Sequence, residues 1–133
     1  MTADQERELI AAATAVRLRA YAPYSGFQVG AALLTADGRI VVGCNVENAS
    51  YGHTICAERS AVLTMVAEGI RSFTAIVVVT DGAKLSTPCG ACRQVMHEFA
   101  PNAVVVCGNL RGERTRHTMA ELLPHPFGPA DLT

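Results

Sequence analysis

The chain has 133 residues, half of them hydrophobic, with 11 Lys+Arg against 12 Asp+Glu and a formal net charge of −1. That length predicts a single domain over residues 1–133 with a substantial core. A near-neutral balance, with Lys84 the sole lysine, excludes the basic footprint of a polynucleotide binder, so no nucleic-acid partner is expected. No run of about 20 apolar residues and no signal-peptide pattern occurs, so the reading is a cytoplasmic protein without a membrane partner.

Thr2 to Gln5 has the form of a capping box, T-x-x-Q, and the Ala-rich stretch to Ala20 predicts a first helix. Ala22-Pro23-Tyr24-Ser25-Gly26 is turn chemistry. Phe27 to Thr35 and Arg39 to Cys44 read as strands joined around Asp37-Gly38, a hairpin signal. Asn45 to Ile55 is a polar loop. Cys56 to Glu68 reads as a second helix stopped by Gly69. Thr74 to Val79 is a buried strand. Pro88 to Phe99 is a third helix with Pro near its start. Ala103 to Cys107 is another strand, Arg111 to Arg116 a more polar one, and Thr118 to Leu123 a short helix before a Pro-rich tail. The order α-β-β-α-β-α-β-β-α predicts an α/β fold with a mixed sheet. The sheet would be antiparallel at the hairpin and parallel where helices cross over. Helices on both faces make a three-layer α/β/α sandwich. So high a hydrophobic fraction leaves apolar surface for contacts between subunits.

Five cysteines, an odd number with no export signal, argue for metal binding or buried thiols rather than a disulfide framework. Cys56-Ala57-Glu58-Arg59 and Pro88-Cys89-Gly90-Ala91-Cys92 carry the chemistry. Cys89 and Cys92, three apart in a first helical turn, point to one side, and Cys56 begins another helix. Helix N-termini favour thiolates. Three thiolates and an open fourth position are the pattern of a catalytic zinc, with Glu58 beside it as proton carrier. One Zn2+ and three thiolates sum to −1, which weakens the metal's power to acidify water. Arg59 is the expected compensator, donating to ligand sulfurs. The alternative is a closed structural site completed by Cys44, Cys107 or His53. Cys44 and Cys107 read as small buried hydrophobes at strand ends. His97, His117 and His125 have no metal-partner spacing.

A site of three cysteines, a non-ligand glutamate and a P-C-x-x-C segment are the signature of zinc deaminases. The chain resembles one such family along its whole length, the small cytidine deaminases. The matching segments are Pro23-Tyr24-Ser25 with Phe27-Gln28-Val29-Gly30-Ala31-Ala32, and Asn45-Val46-Glu47-Asn48-Ala49-Ser50-Tyr51. Cys56-Ala57-Glu58-Arg59-Ser60-Ala61, Pro88-Cys89-Gly90-Ala91-Cys92-Arg93-Gln94 and Glu121-Leu122-Leu123-Pro124 with Phe127 complete the set. The resemblance implies the deaminase α/β/α sandwich, a homotetramer with shared active sites, and one zinc per chain held by Cys56, Cys89 and Cys92. It implies Glu58 as proton shuttle, Asn45 and Glu47 as a ribose-binding pair, and Phe27 as a stacking ring. Phe127 would reach in from a neighbouring subunit. The backbone of Ala57 and Cys89 would hold the base edge, and Tyr51 would stand near the ribose. The activity implied is hydrolytic deamination of cytidine and 2′-deoxycytidine to uridine and 2′-deoxyuridine, a step of pyrimidine salvage.

Three other readings stand at this point. A deaminase of a related small molecule, such as the antibiotic blasticidin S, shares the P-C-G-x-C-R-Q segment, but Phe27 and Asn45-x-Glu47 favour a ribonucleoside. A polynucleotide-editing deaminase needs a phosphate-binding surface that this charge balance lacks. A non-catalytic zinc module needs no carboxylate beside an open metal position.

Overall fold

The computed structural model describes residues 1–133. Its elements are α1 (Ala3–Arg17), β1 (Gly30–Thr35), β2 (Ile40–Cys44), α2 (Ala57–Ala67), β3 (Phe73–Thr80), α3 (Gly90–Phe99), β4 (Val104–Asn109), β5 (Arg114–Thr118) and α4 (Met119–Leu122). Short 3-10 turns form at Tyr51–His53 and Pro129–Leu132. The element order matches the expected one. The capping box closes: Gln5 N–H donates to Thr2 Oγ1 at 3.1 Å and Thr2 N–H to Gln5 Oε1 at 2.8 Å.

The strands form one sheet in the order β2-β1-β3-β4-β5. β1 pairs antiparallel with β2 and β3, β3 runs parallel to β4, and β5 returns antiparallel on β4. α2 therefore carries the chain across β1, and α3 carries it from β3 to β4. Strand alternation splits the core in two. Ala32, Leu34, Ala75, Val77 and Val79 face Leu9 and Ala13 of α1. Ala31, Leu33, Ile76 and Val78 face Ala61, Val62 and Met65 of α2 and Met96 of α3. Each fully buried Leu, Ile, Val or Met among them contributes about 1.5–3 kcal/mol of burial energy. The expected three-layer α/β/α sandwich is the architecture found. No helix is long and apolar enough to cross a membrane.

One glycine sets how α2 lies on the sheet. A Cβ on Gly43 would stand 2.3 Å from Ala61 N and 2.7 Å from Ala57 O. Only glycine lets the first turn of α2, which carries Glu58, rest directly on β2.

Several boundaries differ from the sequence reading, each for a local reason. Residues 27–29 leave the sheet because side chains take most of their backbone groups, with only Val29 O still accepting from a backbone N–H, that of Asn45, at 3.3 Å. Asn45 Nδ2 donates to Phe27 O at 2.8 Å, Val29 N–H donates to Asn45 Oδ1 at 2.9 Å, and Arg17 Nε donates to Gln28 O at 3.1 Å. The last strand is Arg114–Thr118 rather than Arg111–Arg116. Asn109 Oδ1 gathers the Arg111 and Glu113 N–H groups at 3.0 and 3.1 Å and makes that stretch a turn. Cys107 sits inside β4, fully buried, not at a strand end, and Cys44 is only half-buried. Pro88 precedes the cap of α3 instead of opening the helix.

Candidate active site

Cys56 and Cys89 are the N-cap residues of α2 and α3, in extended backbone with no side-chain cap bond. Cys92 lies in the first turn of α3, at the bottom of the core. The two helix starts converge. Cys56 Sγ lies 4.0 Å from Cys89 Sγ, and Cys89 Sγ 3.4 Å from Cys92 Sγ. The three sulfurs stand within 4.8 Å of one another, and no histidine, carboxylate or other cysteine joins the group. Tetrahedral zinc with bonds of about 2.3 Å needs sulfurs roughly 3.8 Å apart, so these three residues could hold that ion and leave a fourth position open. The closed-site alternative fails on position: Cys44 and Cys107 lie elsewhere, and His53 Nδ1 pairs with Ser50 Oγ at 2.8 Å.

Electrostatics favour a thiolate at Cys56. The Cys56 thiol is lowered to about 5 by its interaction with Cys92 first, then by Arg59 and Cys89, against the effect of burial. Cys92 moves up, because the proton of that pair stays on it and burial favours the neutral form. Arg59 Nη2 donates to Cys56 Sγ at 3.7 Å and to Thr54 O at 3.2 Å, and its Nε is buried with no partner. The expected contact between Arg59 and a ligand sulfur is present. Arg59→Ala should therefore lose zinc faster to a competing chelator or turn over more slowly. Arg59→Lys should recover only part, since the planar fork is lost. Equal zinc retention and turnover in all three proteins would reduce Arg59 to a surface charge.

Glu58 is the second residue of α2 and 5% exposed. Burial raises its carboxyl to about 7, and the Cys56 charge adds to this while Arg59 opposes it. A carboxyl that titrates near neutrality can both take and return a proton at working pH.

Glu58 opens onto a cleft of about 200 Å3 lined by Phe27, Val29, Asn45, Thr54, Cys56, Ala57, Val78, Thr80, Ser86 and Thr87. Thr54 is shared with an outer cleft of about 390 Å3 lined by Tyr24, Ser25, Glu47 and Tyr51. The structure thus brings Phe27, Asn45 and Ala57 to the inner space and Glu47 and Tyr51 to the outer one. Tyr51 is 73% exposed and meets Tyr24 edge-to-face, with ring centroids 5.8 Å apart. Glu47 is held by Tyr24 N–H at 3.0 Å, Ser25 N–H at 3.2 Å and Ser25 Oγ at 2.5 Å, and the Ser25 bonds lead in lowering its pKa. Asn45 spends one N–H and one lone pair on Phe27 and Val29. A second N–H and a second lone pair stay available to a ligand. Phe127 is not brought to either cleft. It is 56% exposed, and its carbonyl accepts from Gln94 Nε2 at 2.9 Å.

Sequence reasoning missed Thr80, Ser86 and Thr87. Thr80 Oγ1 is buried without a partner at the cleft wall. It also missed Arg93, which donates to Pro88 O at 2.6 Å, Leu122 O at 2.8 Å and Thr87 Oγ1 at 2.9 Å, pinning the turn that carries Cys89. Short hydroxyl side chains carry no spacing signal. Arg93 belongs to the Cys-Arg-Gln segment, which could have flagged it.

Three converging cysteine sulfurs with a buried carboxyl two residues from one of them, on helix starts of an α/β/α sandwich, are the pattern of a zinc-dependent hydrolytic enzyme of the deaminase type. Residues 3–108 match the cytidine and deoxycytidylate deaminase zinc-binding region. A cytidine deaminase of Sporosarcina psychrophila is 49% identical over 95% of this chain and 93% of its own. One from Halalkalibacterium halodurans is 51% identical over 93% and 95%. The crystal structure of cytidine deaminase from Burkholderia pseudomallei superposes with a TM-score of 0.89 at 50% identity, covering 96% of this chain and all of that one. The chain belongs to the zinc-binding cytidine and deoxycytidylate deaminase family.

Proposed function

We propose that this protein hydrolyses cytidine and 2′-deoxycytidine to uridine and 2′-deoxyuridine, releasing ammonia, as a cytoplasmic enzyme of pyrimidine salvage built as one deaminase-type domain over residues 1–133. The observation that carries the reading is the buried Glu58 carboxyl, which lines a cleft together with Cys56, one of three converging cysteine sulfurs. Five free cysteines fit a reducing compartment.

Zinc, held by Cys56, Cys89 and Cys92, supplies Lewis acidity that makes water nucleophilic at neutral pH. Glu58 takes the proton that this water gives up as it adds to C4 of the base. The carboxyl delivers that proton to ring N3, then takes the second proton from the C4 hydroxyl so formed and passes it to the exocyclic amine, so that the C4 carbonyl forms, the C4–N bond breaks and ammonia leaves. Every proton transfer uses the same carboxyl, which suits its near-neutral titration. Phe27 stacks on the base, and the backbone of Ala57 and Cys89 holds the base edge. Asn45 and Glu47 take the ribose hydroxyls, with Tyr51 beside them. The outer cleft, lined by Tyr24, Ser25, Glu47, Tyr51 and Thr54, contains a carboxylate and no cation. A phosphate there would meet repulsion, which favours a nucleoside over a nucleotide.

Incubation with a substrate panel tests this. Cytidine should lose its absorbance with equimolar ammonia release, while free cytosine, deoxycytidylate and cytosine in an oligonucleotide should react poorly. Glu47→Ala should impair cytidine far more than cytosine. Efficient deamination of single-stranded DNA or RNA would overturn the reading.

The same reading makes the enzyme a homotetramer in which Phe127 closes a neighbour's site. An aromatic ring 56% exposed, outside its own chain's cleft, supports this. Light scattering should give about four chains per particle, and Phe127→Ala should raise KM with zinc content intact. Mixed tetramers of Phe127→Ala and Glu58→Gln chains should regain part of the activity, because some sites then combine an intact Phe127 with an intact Glu58. No recovery in verified mixed tetramers would place Phe127 in its own subunit's site or outside any site.

A further inference from the structure

Arg17 is a buried cation that the chemistry above does not use. It closes α1, and its side chain is 8% exposed. Its Nε donates to Gln28 O at 3.1 Å, and its Nη2 meets Asp81 Oδ2 at 3.0 Å. Both partners sit next to cleft residues. Gln28 lies between Phe27 and Val29, and Asp81 follows Thr80 at the start of the loop that ends in Ser86 and Thr87. The two segments meet: a Cβ on Gly82 would lie 3.8 Å from Phe27 Cε1. Residues 27–29 lie outside the sheet, and Asn45 fixes one side of this stretch while Arg17 holds the other. Gly30 allows the approach. A Cβ there would stand 1.9 Å from Ala13 O and 2.9 Å from Arg17 Cβ.

We propose that Arg17 is a positioning residue of the substrate cleft: one guanidinium ties the Phe27 segment to the Asp81–Thr87 loop and sets the spacing of the two walls between which the base lies. The proposal rests on the cleft being the nucleoside site. A buried guanidinium suits the task because its planar fork serves a carbonyl and a carboxylate at once, and a side chain buried this deeply stays put only while both are satisfied.

The clamp touches the walls and not the sulfur cluster or Glu58, so its loss should appear in KM. Asp81→Asn and Arg17→Lys should each keep about one zinc per chain and unfold in one transition with no more than a modest drop in thermal midpoint. Each should raise KM for cytidine roughly tenfold and leave kcat within about twofold. Arg17→Met should go further in the same direction, so that lysine rescues part of the loss. If Arg17→Met does not fold, the other two variants decide. Amide hydrogen exchange is the second readout. Residues 27–30 and 81–87 should lose protection together in each variant, with α2 and α3 unchanged. Unchanged KM in both Asp81→Asn and Arg17→Lys overturns the proposal. So does a fall in kcat, zinc content and thermal midpoint together, which marks a general brace. If wild-type protein leaves cytidine untouched, it is the functional reading that fails. The exchange pattern then decides the clamp alone, and unchanged or uniformly raised exchange ends it.

Discussion

Glu58→Gln protein is expected to retain its zinc and to lose about 10²–10⁴-fold in kcat, the usual scale for general acid–base catalysis. The amide keeps the shape of the side chain and removes its capacity to accept a proton from water and return it to N3 and the amine. Glu58 lies outside the sulfur cluster, so elemental analysis should still find the metal. Near-normal turnover in zinc-loaded Glu58→Gln would sink the mechanism. The same variant has a stability signature in metal-free protein. Burial raises the folded-state pKa to about 7 from 4.5. The stability tied to the neutral carboxyl is therefore complete below pH 4.5 and is lost as pH rises to 7. Glutamine has no such loss. Above pH 7, metal-free Glu58→Gln should resist denaturant better than metal-free wild type by a few kcal/mol, at about 1.4 kcal/mol per pKa unit. Equal stability of the two at pH 8 would mean that the carboxyl is solvated.

The second large effect concerns the metal. Cys56→Ala and Cys92→Ala should each fall from about one zinc per chain to near none and lose turnover with it, because two thiolates leave too few ligands for this ion. Cys44→Ala and Cys107→Ala should keep both, since neither sulfur joins the cluster. Cys107→Ala should still cost about 1 kcal/mol of stability, as the thiol is fully buried within β4. Zinc loss in Cys44→Ala or Cys107→Ala, with zinc retained in Cys56→Ala, would show the ligand set to be wrong. Chelation of wild-type protein should reproduce the Cys56→Ala phenotype, and zinc should reverse it.

What the sequence determined by itself was the chemistry and the order of elements. Cys56-x-Glu58 and Cys89-x-x-Cys92 predict a three-sulfur cluster with a carboxyl next to it by type and spacing, and the fold brings those sulfurs together, because metal geometry and helix starts restrict such residues to few patterns. Capping at Thr2 and the stop at Gly69 were legible for the same reason: local hydrogen bonding acts over a few residues. The α/β/α layering followed from the order of the elements, with β1 and β3 read as apolar strands.

Tertiary structure decided what spans distance in the chain. Phe27 to Val29 carry strand-forming residues, yet they leave the sheet. Asn45 and Arg17, 16 and 11 residues away from their partners, outcompete a strand ladder for those backbone groups. Phe27 becomes a cleft wall by that competition, and no local pattern encodes it. The same holds for Thr80, Ser86 and Thr87, whose place at the cleft depends on β3 and α3 meeting. It holds for Glu58 too. Its neighbours in sequence suggest the role proposed for the carboxyl, but its pKa near 7 comes from burial under the packed core. Burial is a property of the whole fold, summed over elements that are distant in the chain.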